Sequence, residues 1–253
     1  MTKAAFFREL DQAYTLFNEN FLQIMNLEYD VIKGLEMYKN EKQAILEVYE
    51  ILEEKVHTID HFKSHIERIE RSPDIIQSMS IVYLVAHFEV YFSTIIELLL
   101  SFFWESLKSK EKSISYQEAL SFNSTKELRD HIIKKEIYKV SFGGIKERIM
   151  FLEKRLGLTF EYNRLKGVKN NWNSVELESL VEVHSTRNVI VHNNGKIDKR
   201  YLQENRNCEL KIGEHRDISK KYVLDSSGVL FRVCNSLYQV ARKKVSEKRK
   251  TIK

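Results

Sequence analysis

The chain has 253 residues, of which 43% are hydrophobic and 30% charged, enough for a sizeable core in a soluble globular protein. One proline and eight glycines are too few for the closely spaced turns of a sandwich or barrel, so long helices are expected. A net charge of +5 permits a polyanionic partner without demanding one, and two cysteines, Cys208 and Cys234, far apart and without metal-like spacing, point to free thiols in a reducing compartment.

Residues 5–71 read as two long helices. Leu10, Tyr14, Phe17, Phe21, Ile24, Val31, Leu35 and Tyr38 form one apolar stripe at three-to-four spacing. The polar stretch Lys39-Asn40-Glu41-Lys42 is the expected turn. Ile45, Val48, Leu52, Val56, Ile59, Ile66 and Ile69 mark the second helix, which makes an irregular antiparallel hairpin with the first. The only proline, Pro73, follows Ser72 and precedes Asp74, which has the form of a helix start. A division follows: an N-terminal helical hairpin at residues 1–71, suited to dimer or partner contacts, and a helical domain at 72–253.

The helix expected from Pro73 runs to about residue 107 and carries the most apolar run, Ile81 to Trp104. That run is long enough to span a bilayer. His87, Glu89, Thr94 and Glu97 lie within it, and charge at membrane depth is costly. A buried core helix is the better reading. With no signal-peptide pattern at the N-terminus, a cytoplasmic protein without membrane contact is expected.

Residues 108–115 read as a charged loop. Ser124 and Glu127 have capping-box spacing ahead of a helix to about residue 140. Gly143-Gly144 breaks it. A further helix spans about 145–156 and stops at Gly157. Residues 158–173 are polar and asparagine-rich, a loop with a short helical piece. Asn173 caps a helix over 174–191, stopped by Asn193-Asn194-Gly195. Residues 208–212 and 215–218 suggest a small β-hairpin about Gly213-Glu214. A last helix starts near Ser219, with Tyr222, Ser226, Leu230, Val233, Leu237 and Val240 inward and a basic end from Arg242. The fold class is all-α.

The chemistry concentrates at the end of the 174–191 helix: Arg187-Asn188-Val189-Ile190-Val191-His192. An arginine presents a fixed fork of donors suited to phosphate oxygens. A histidine can act as base or acid near neutral pH. Cutting RNA without a metal needs a base for the 2′-OH, an acid for the 5′ oxygen and a cation on the phosphate. On an ideal helix Arg187 and His192 lie roughly 140° apart. An unwinding after residue 191 is expected to redirect the His192 ring. One arginine and one histidine are half a site, and a two-fold dimer would supply two of each.

An Arg-polar-x-x-x-His spacing at a helix end resembles the signature of the HEPN superfamily. The resemblance covers residues 73–240. It is nearest to prokaryotic HEPN families whose first core helix reads like Leu84-Val85-Ala86-His87-Phe88-Glu89-Val90-Tyr91-Phe92 and whose motif is followed by a stretch like Gly195-Lys196-Ile197-Asp198. It implies a HEPN-like helical bundle and a metal-independent endoribonuclease. Arg187 and His192 would be catalytic and Asn188 substrate-positioning. Beside the resemblance, their places on the helices make Asn193 a further positioning candidate and His184 and Glu89 candidate supporting residues, against a surface histidine and a buried polar contact as the plainer readings. The resemblance also implies an RNA substrate, a homodimer, no cofactor, and a toxin or antiphage role beside an antitoxin or defence-system partner. Residues 1–71 lie outside it.

Other readings stay open. Arginine and histidine are ordinary in last turns, and some HEPN members are inactive, binding nucleotide or protein only. His57, His61 and His65 recur every four residues, on a face that is either solvated or metal-binding. Glu178 and Glu182 read as solvated. The tail Arg242, Lys243, Lys244, Lys248, Arg249 and Lys250 could meet an RNA backbone or simply solvate a helix end. Nothing resembles a dinucleotide fingerprint, a P-loop, a nucleophile elbow or a zincin motif.

Overall fold

The computed structural model describes residues 1–51, 56–108, 113–158, 161–162, 170–171 and 174–248. Two helices dominate it, α1 (Lys3–Ile51) and α2 (Val56–Phe102), each about 70 Å long at 1.5 Å per residue. They run antiparallel: Phe17 meets Tyr91, Tyr38 meets His65, and Glu50 pairs with Lys63. The buried positions of α1 are Phe6, Leu10, Phe17, Phe21, Glu28 and Ile32. They alternate steps of four and seven, a repeat of eleven residues. Eleven residues make three turns at 3.67 per turn, so the stripe stays nearly parallel to the helix axis, unlike a heptad seam.

Two expectations fail here. α1 passes through Lys39-Asn40-Glu41-Lys42 without a turn and ends at Ile51. These four residues are good helix formers apart from Asn40, and neither glycine nor proline interrupts them. Pro73 does not start a helix; it sits inside α2. Ile66 and Ile69 before it and Ile81 after it are buried on one continuous helix. Tertiary packing therefore overrides the local start signal. Ser72 Oγ donates to the Arg68 carbonyl at 2.9 Å, one turn back along the same helix.

α2 is the central helix. Ile81, Leu84, Val85, Phe88, Phe92, Ile95, Ile96, Leu99 and Leu100 are all buried, which accounts for its apolar run. Ile59–Phe102 is long and apolar enough to cross a membrane by length and composition, but half of its most apolar window is buried inside the fold. Phe6, Leu10, Phe17 and Phe21 belong to the same core cluster as Phe88 and Leu99, so the first half of the N-terminal segment is part of the main core.

A 3-10 turn (Trp104–Leu107) and a short helix α3 (Tyr116–Leu120) follow. Ser124 Oγ accepts from Glu127 N at 3.1 Å and opens α4 (Thr125–Phe142); Glu127 reaches back to Asn123 N at 2.9 Å. Gly143-Gly144 separates α4 from α5 (Ile145–Leu156), which ends at Gly157 in a left-handed conformation, φ 59°. Of the stretch 158–173, two-residue strands β1 (Glu161–Tyr162) and β2 (Asn170–Asn171) pair antiparallel; the expected short helical piece falls on residues 159–160, 163–169 and 172–173, outside the described residues. Asn173 lies outside the described residues.

α6 (Ser174–Asn193), α7 (Lys199–Glu204) and α8 (Lys220–Glu247) complete the eight α-helices of the described residues. α8 starts at Ser219, whose Oγ accepts from Tyr222 N. The hairpin expected over 208–218 is not formed. Instead residues 195–197 bond to 213–216: Ile197 N to Glu214 O at 2.9 Å, Gly213 N to Ile197 O at 2.9 Å, and Arg216 N to Gly195 O at 2.8 Å. Val189, Ile197 and Tyr201 bury a small second core, with Leu202, Cys208 and Leu210 packed on it. That local core, rather than strand alternation, sets the pairing.

Candidate functional site

α6 carries the arginine–histidine motif and meets α2 along its inner face. Leu180, Val181 and Val183 are buried there, and His184, Ser185 and Thr186 follow with almost no exposure. Arg187 is next on this face and is half-buried, its side chain 25% exposed. Its guanidinium has two partners. Nη1 donates to Asn188 Oδ1 at 3.0 Å, and Nη2 lies 3.5 Å from Glu89 Oε2 on α2. Its Nε is buried with no acceptor among the described residues.

Glu89 gathers more than Arg187. Its Oε1 lies 3.5 Å from Arg148 Nη1 on α5 and 3.6 Å from His184 Nδ1. Two guanidiniums thus share one carboxylate. The His184 ring is buried against Phe88, edge-on with centroids 5.4 Å apart. Burial first, then the charges of Arg148 and Arg187, lower its pKa to about 3. They outweigh the nearby carboxylate, so His184 is neutral and its contact with Glu89 is not an ion pair. The cluster of Glu89, Arg148, Arg187 and neutral His184 carries a net charge of +1 at neutral pH.

His192 is elsewhere. α6 does not unwind after residue 191; it continues through Asn193. The left-handed residues are Asn194 at φ 50° and Gly195 at φ 75°. Gly195 N closes the end by donating to Val189 O at 2.8 Å. His192 therefore stays on the last helical turn, exposed and with no hydrogen-bond partner among the described residues. Five residues on a helix separate it from Arg187 by about 7.5 Å along the axis and roughly 140° around it. The expected reorientation of its ring by the turn does not occur, because the αL residues come after it. Asn193 Nδ2 donates to the Lys196 carbonyl at 2.6 Å, so this amide shapes the turn.

The structure thus joins Glu89, His184, Arg187 and Asn188, adds Arg148, and sets His192 apart. Arg148 carries no sequence signal. It lies 59 residues from Glu89 along the chain, and only the packing of α5 against α6 beside α2 brings them together.

Glu182, expected to be solvated, is the hub of a second network. Its Oε1 accepts from Thr186 Oγ1 at 2.9 Å, Tyr201 OH at 2.8 Å, and Arg216 Nε and Nη2 at 3.1 and 2.9 Å. Its Oε2 accepts from Tyr222 OH at 2.7 Å. These bonds tie α6 to α7, α8 and the 213–218 segment. Burial, with Glu182 adding to it, raises the Tyr201 and Tyr222 pKa values well above the ordinary phenol. The network is fixed and fully engaged, which suits a structural lock.

The remaining candidates are tied into the fold or fall outside the described residues. His65 has Tyr38 OH at 3.3 Å and Arg68 Nη2 at 3.2 Å from its ring nitrogens. The side chain of His57 is outside the described residues. Among the described residues no three His, Cys, Asp or Glu are placed to hold a metal ion. Arg242 pairs with Asp11 at 2.8 Å, Lys244 donates to Gly157 O, and Lys248 lies over the rings of Phe102 and Phe103. Arg249 and Lys250 lie outside the described residues. Both cysteines are free. Compared with protein-family models, with curated proteins and with solved structures, the chain matches none.

Proposed function

We propose that this chain is a metal-independent endoribonuclease of HEPN type, acting in the cytoplasm as a homodimer. The observation that carries the reading is the pair at the end of α6: a half-buried Arg187 steered by Glu89 and Asn188, and an exposed, unpartnered His192 five residues on. The local charge of +1 around Arg187 favours an anionic ligand, and a phosphodiester is such a ligand.

In this reading the 2′-OH oxygen attacks the adjacent phosphorus and gives its proton to a histidine. The bond from phosphorus to the 5′ oxygen breaks, and that oxygen takes a proton from a second histidine. The products are a 2′,3′-cyclic phosphate and a free 5′-OH. Arg187 holds a non-bridging oxygen as negative charge builds, and Asn188 keeps the guanidinium in plane. One chain offers one exposed histidine on this helix end, so a second copy completes the acid–base pair. Exposed apolar side chains beside the motif suit such a contact: Ile75, Met79 and Tyr83 on α2, which share a groove with Asn194 and Gly195, and Val191 on α6. A role as toxin or antiphage effector, held in check by an antitoxin or defence partner, fits an RNA-cutting site.

The test is cleavage of end-labelled RNA in EDTA by the wild type beside His192→Ala. The wild type yields cyclic-phosphate ends and the variant yields none. Equal cleavage by both, or none by either as a dimer, overturns the reading.

A second reading keeps the fold and drops the chemistry: a nucleotide- or protein-binding module acting through the α1–α2 arm. Exposed Met37, Val48 and Ile51 toward the far end of α1 favour it. Binding that survives His192→Ala and is lost on charging Val48 would support it.

A further inference from the structure

We propose that Arg148 is a positioning residue for Arg187, acting through the Glu89 carboxylate. The inference rests on reading Arg187 as the phosphate-binding cation, and it names what holds that cation in place.

The argument starts at the α4–α5 corner. Arg148 stands one turn into α5, and its side chain is only 12% exposed. Its guanidinium is fixed on the side away from Glu89. Nη2 donates to the Ser141 carbonyl at 2.8 Å and Nε to the Gly143 carbonyl at 3.3 Å. The Ser141 carbonyl lies in the last turn of α4, where it lacks an intrahelical donor and carries part of the negative end of the helix dipole, and Gly143 is the extended residue just past that end. The α4 terminus therefore sets the plane of the Arg148 fork, and Nη1 is left facing Glu89 Oε1 at 3.5 Å.

Glu89 has two oxygens and divides them. Oε1 serves Arg148 and approaches His184; Oε2 faces Arg187. A carboxylate is planar, so holding Oε1 restricts where Oε2 can lie. The chain of contact runs from the α4 carbonyls to Arg148, to Glu89, to Arg187. Without Arg148, Glu89 keeps one guanidinium partner and a neutral imidazole. It can then turn toward Arg187 and pair with it bidentately. That would neutralise the cation and draw its donors away from a phosphate. Arg148 thus also competes for the carboxylate and keeps Arg187 only loosely paired, at 3.5 Å.

Lysine at 148 keeps the charge but has no planar fork to span two carbonyls and a carboxylate. Two readouts decide. The first is the side-chain Nε–Hε NMR signal of Arg187, assigned by its loss in Arg187→Lys. Arg148→Lys should move or broaden it while the folded spectrum elsewhere is kept. The second is ribonuclease activity: Arg148→Lys should lower kcat on the order of a hundredfold with little change in KM, the expected scale for a misplacement of about 1 Å. The same change in an Arg187→Ala background should add nothing. If Arg148→Lys fails to fold, Arg148→Gln keeps an amide donor for the α4 end, removes the charge facing Glu89 and is read by the same signal. An unmoved Arg187 signal, or losses that multiply across the two sites, overturns the proposal. A wild type with no ribonuclease activity removes the RNA-cutting reading, while the NMR signal still decides whether Arg148 positions Arg187.

Discussion

His184 gives the sharpest thermodynamic test of the site. Burial first, then the charges of Arg148 and Arg187, lower its pKa to about 3, against about 6.5 in the unfolded chain. A histidine with a depressed native pKa binds its proton in the unfolded state first. Its contribution to stability is complete above about pH 6.5 and is lost as pH falls toward 3. At 1.36 kcal/mol per unit, moving from pH 7 to pH 5 removes about 2 kcal/mol through this residue alone, and the full window is worth about 5 kcal/mol. The comparison is wild type against His184→Gln, which keeps polar atoms and removes the titration. Urea unfolding followed by circular dichroism at pH 7 and pH 5 gives the difference directly. Wild type should lose about 2 kcal/mol more than the variant between the two pH values. Equal losses would mean that His184 protonates in the native state, and the description of a neutral ring beside Glu89 would be wrong.

Two further predictions bear on what surrounds the motif. Glu182→Ala strands Arg216, Tyr201, Tyr222 and Thr186 at once, so it should destabilise by about 3–5 kcal/mol and lower Tm by roughly 10 °C; a fall within error in a thermal melt would contradict the account of a structural lock. Tyr83 is 54% exposed on α2. Tyr83→Glu should lower the dimer fraction at least tenfold in sedimentation and lower RNA cleavage with it, while the monomer melts as before; unchanged association would remove this face from the dimer contact.

What the sequence made legible is what neighbours along the chain decide. Ser124 with Glu127, Gly157, Ser219 and Asn194-Gly195 are local start and stop chemistry, and each stands where its residue type requires. The apolar periodicities of α2 and α8 likewise follow from a 3.6-residue turn. Pro73 shows the limit. Its signal for a helix start is real, yet the packing of Ile66, Ile69 and Ile81 carries α2 through it. The site was legible only in part, for the same reason. Arg187, Asn188 and His192 are adjacent in sequence and were visible together. Their partners come from α2 and α5, and nothing near Arg148 or Glu182 in the chain distinguishes them from solvated charges. The His192 orientation depended on where α6 ends, and a shift of two residues in that end decided it.

The central claim is that two copies of the α6 end cut RNA together. Its most direct measurement is the rate of RNA cleavage per chain in EDTA as the protein is diluted through its dimer dissociation. The account predicts that specific activity falls in step with the dimer fraction and that the products carry 2′,3′-cyclic phosphates throughout. Constant activity per chain in the monomer range, or no cleavage by a solution that is fully dimeric, would contradict it.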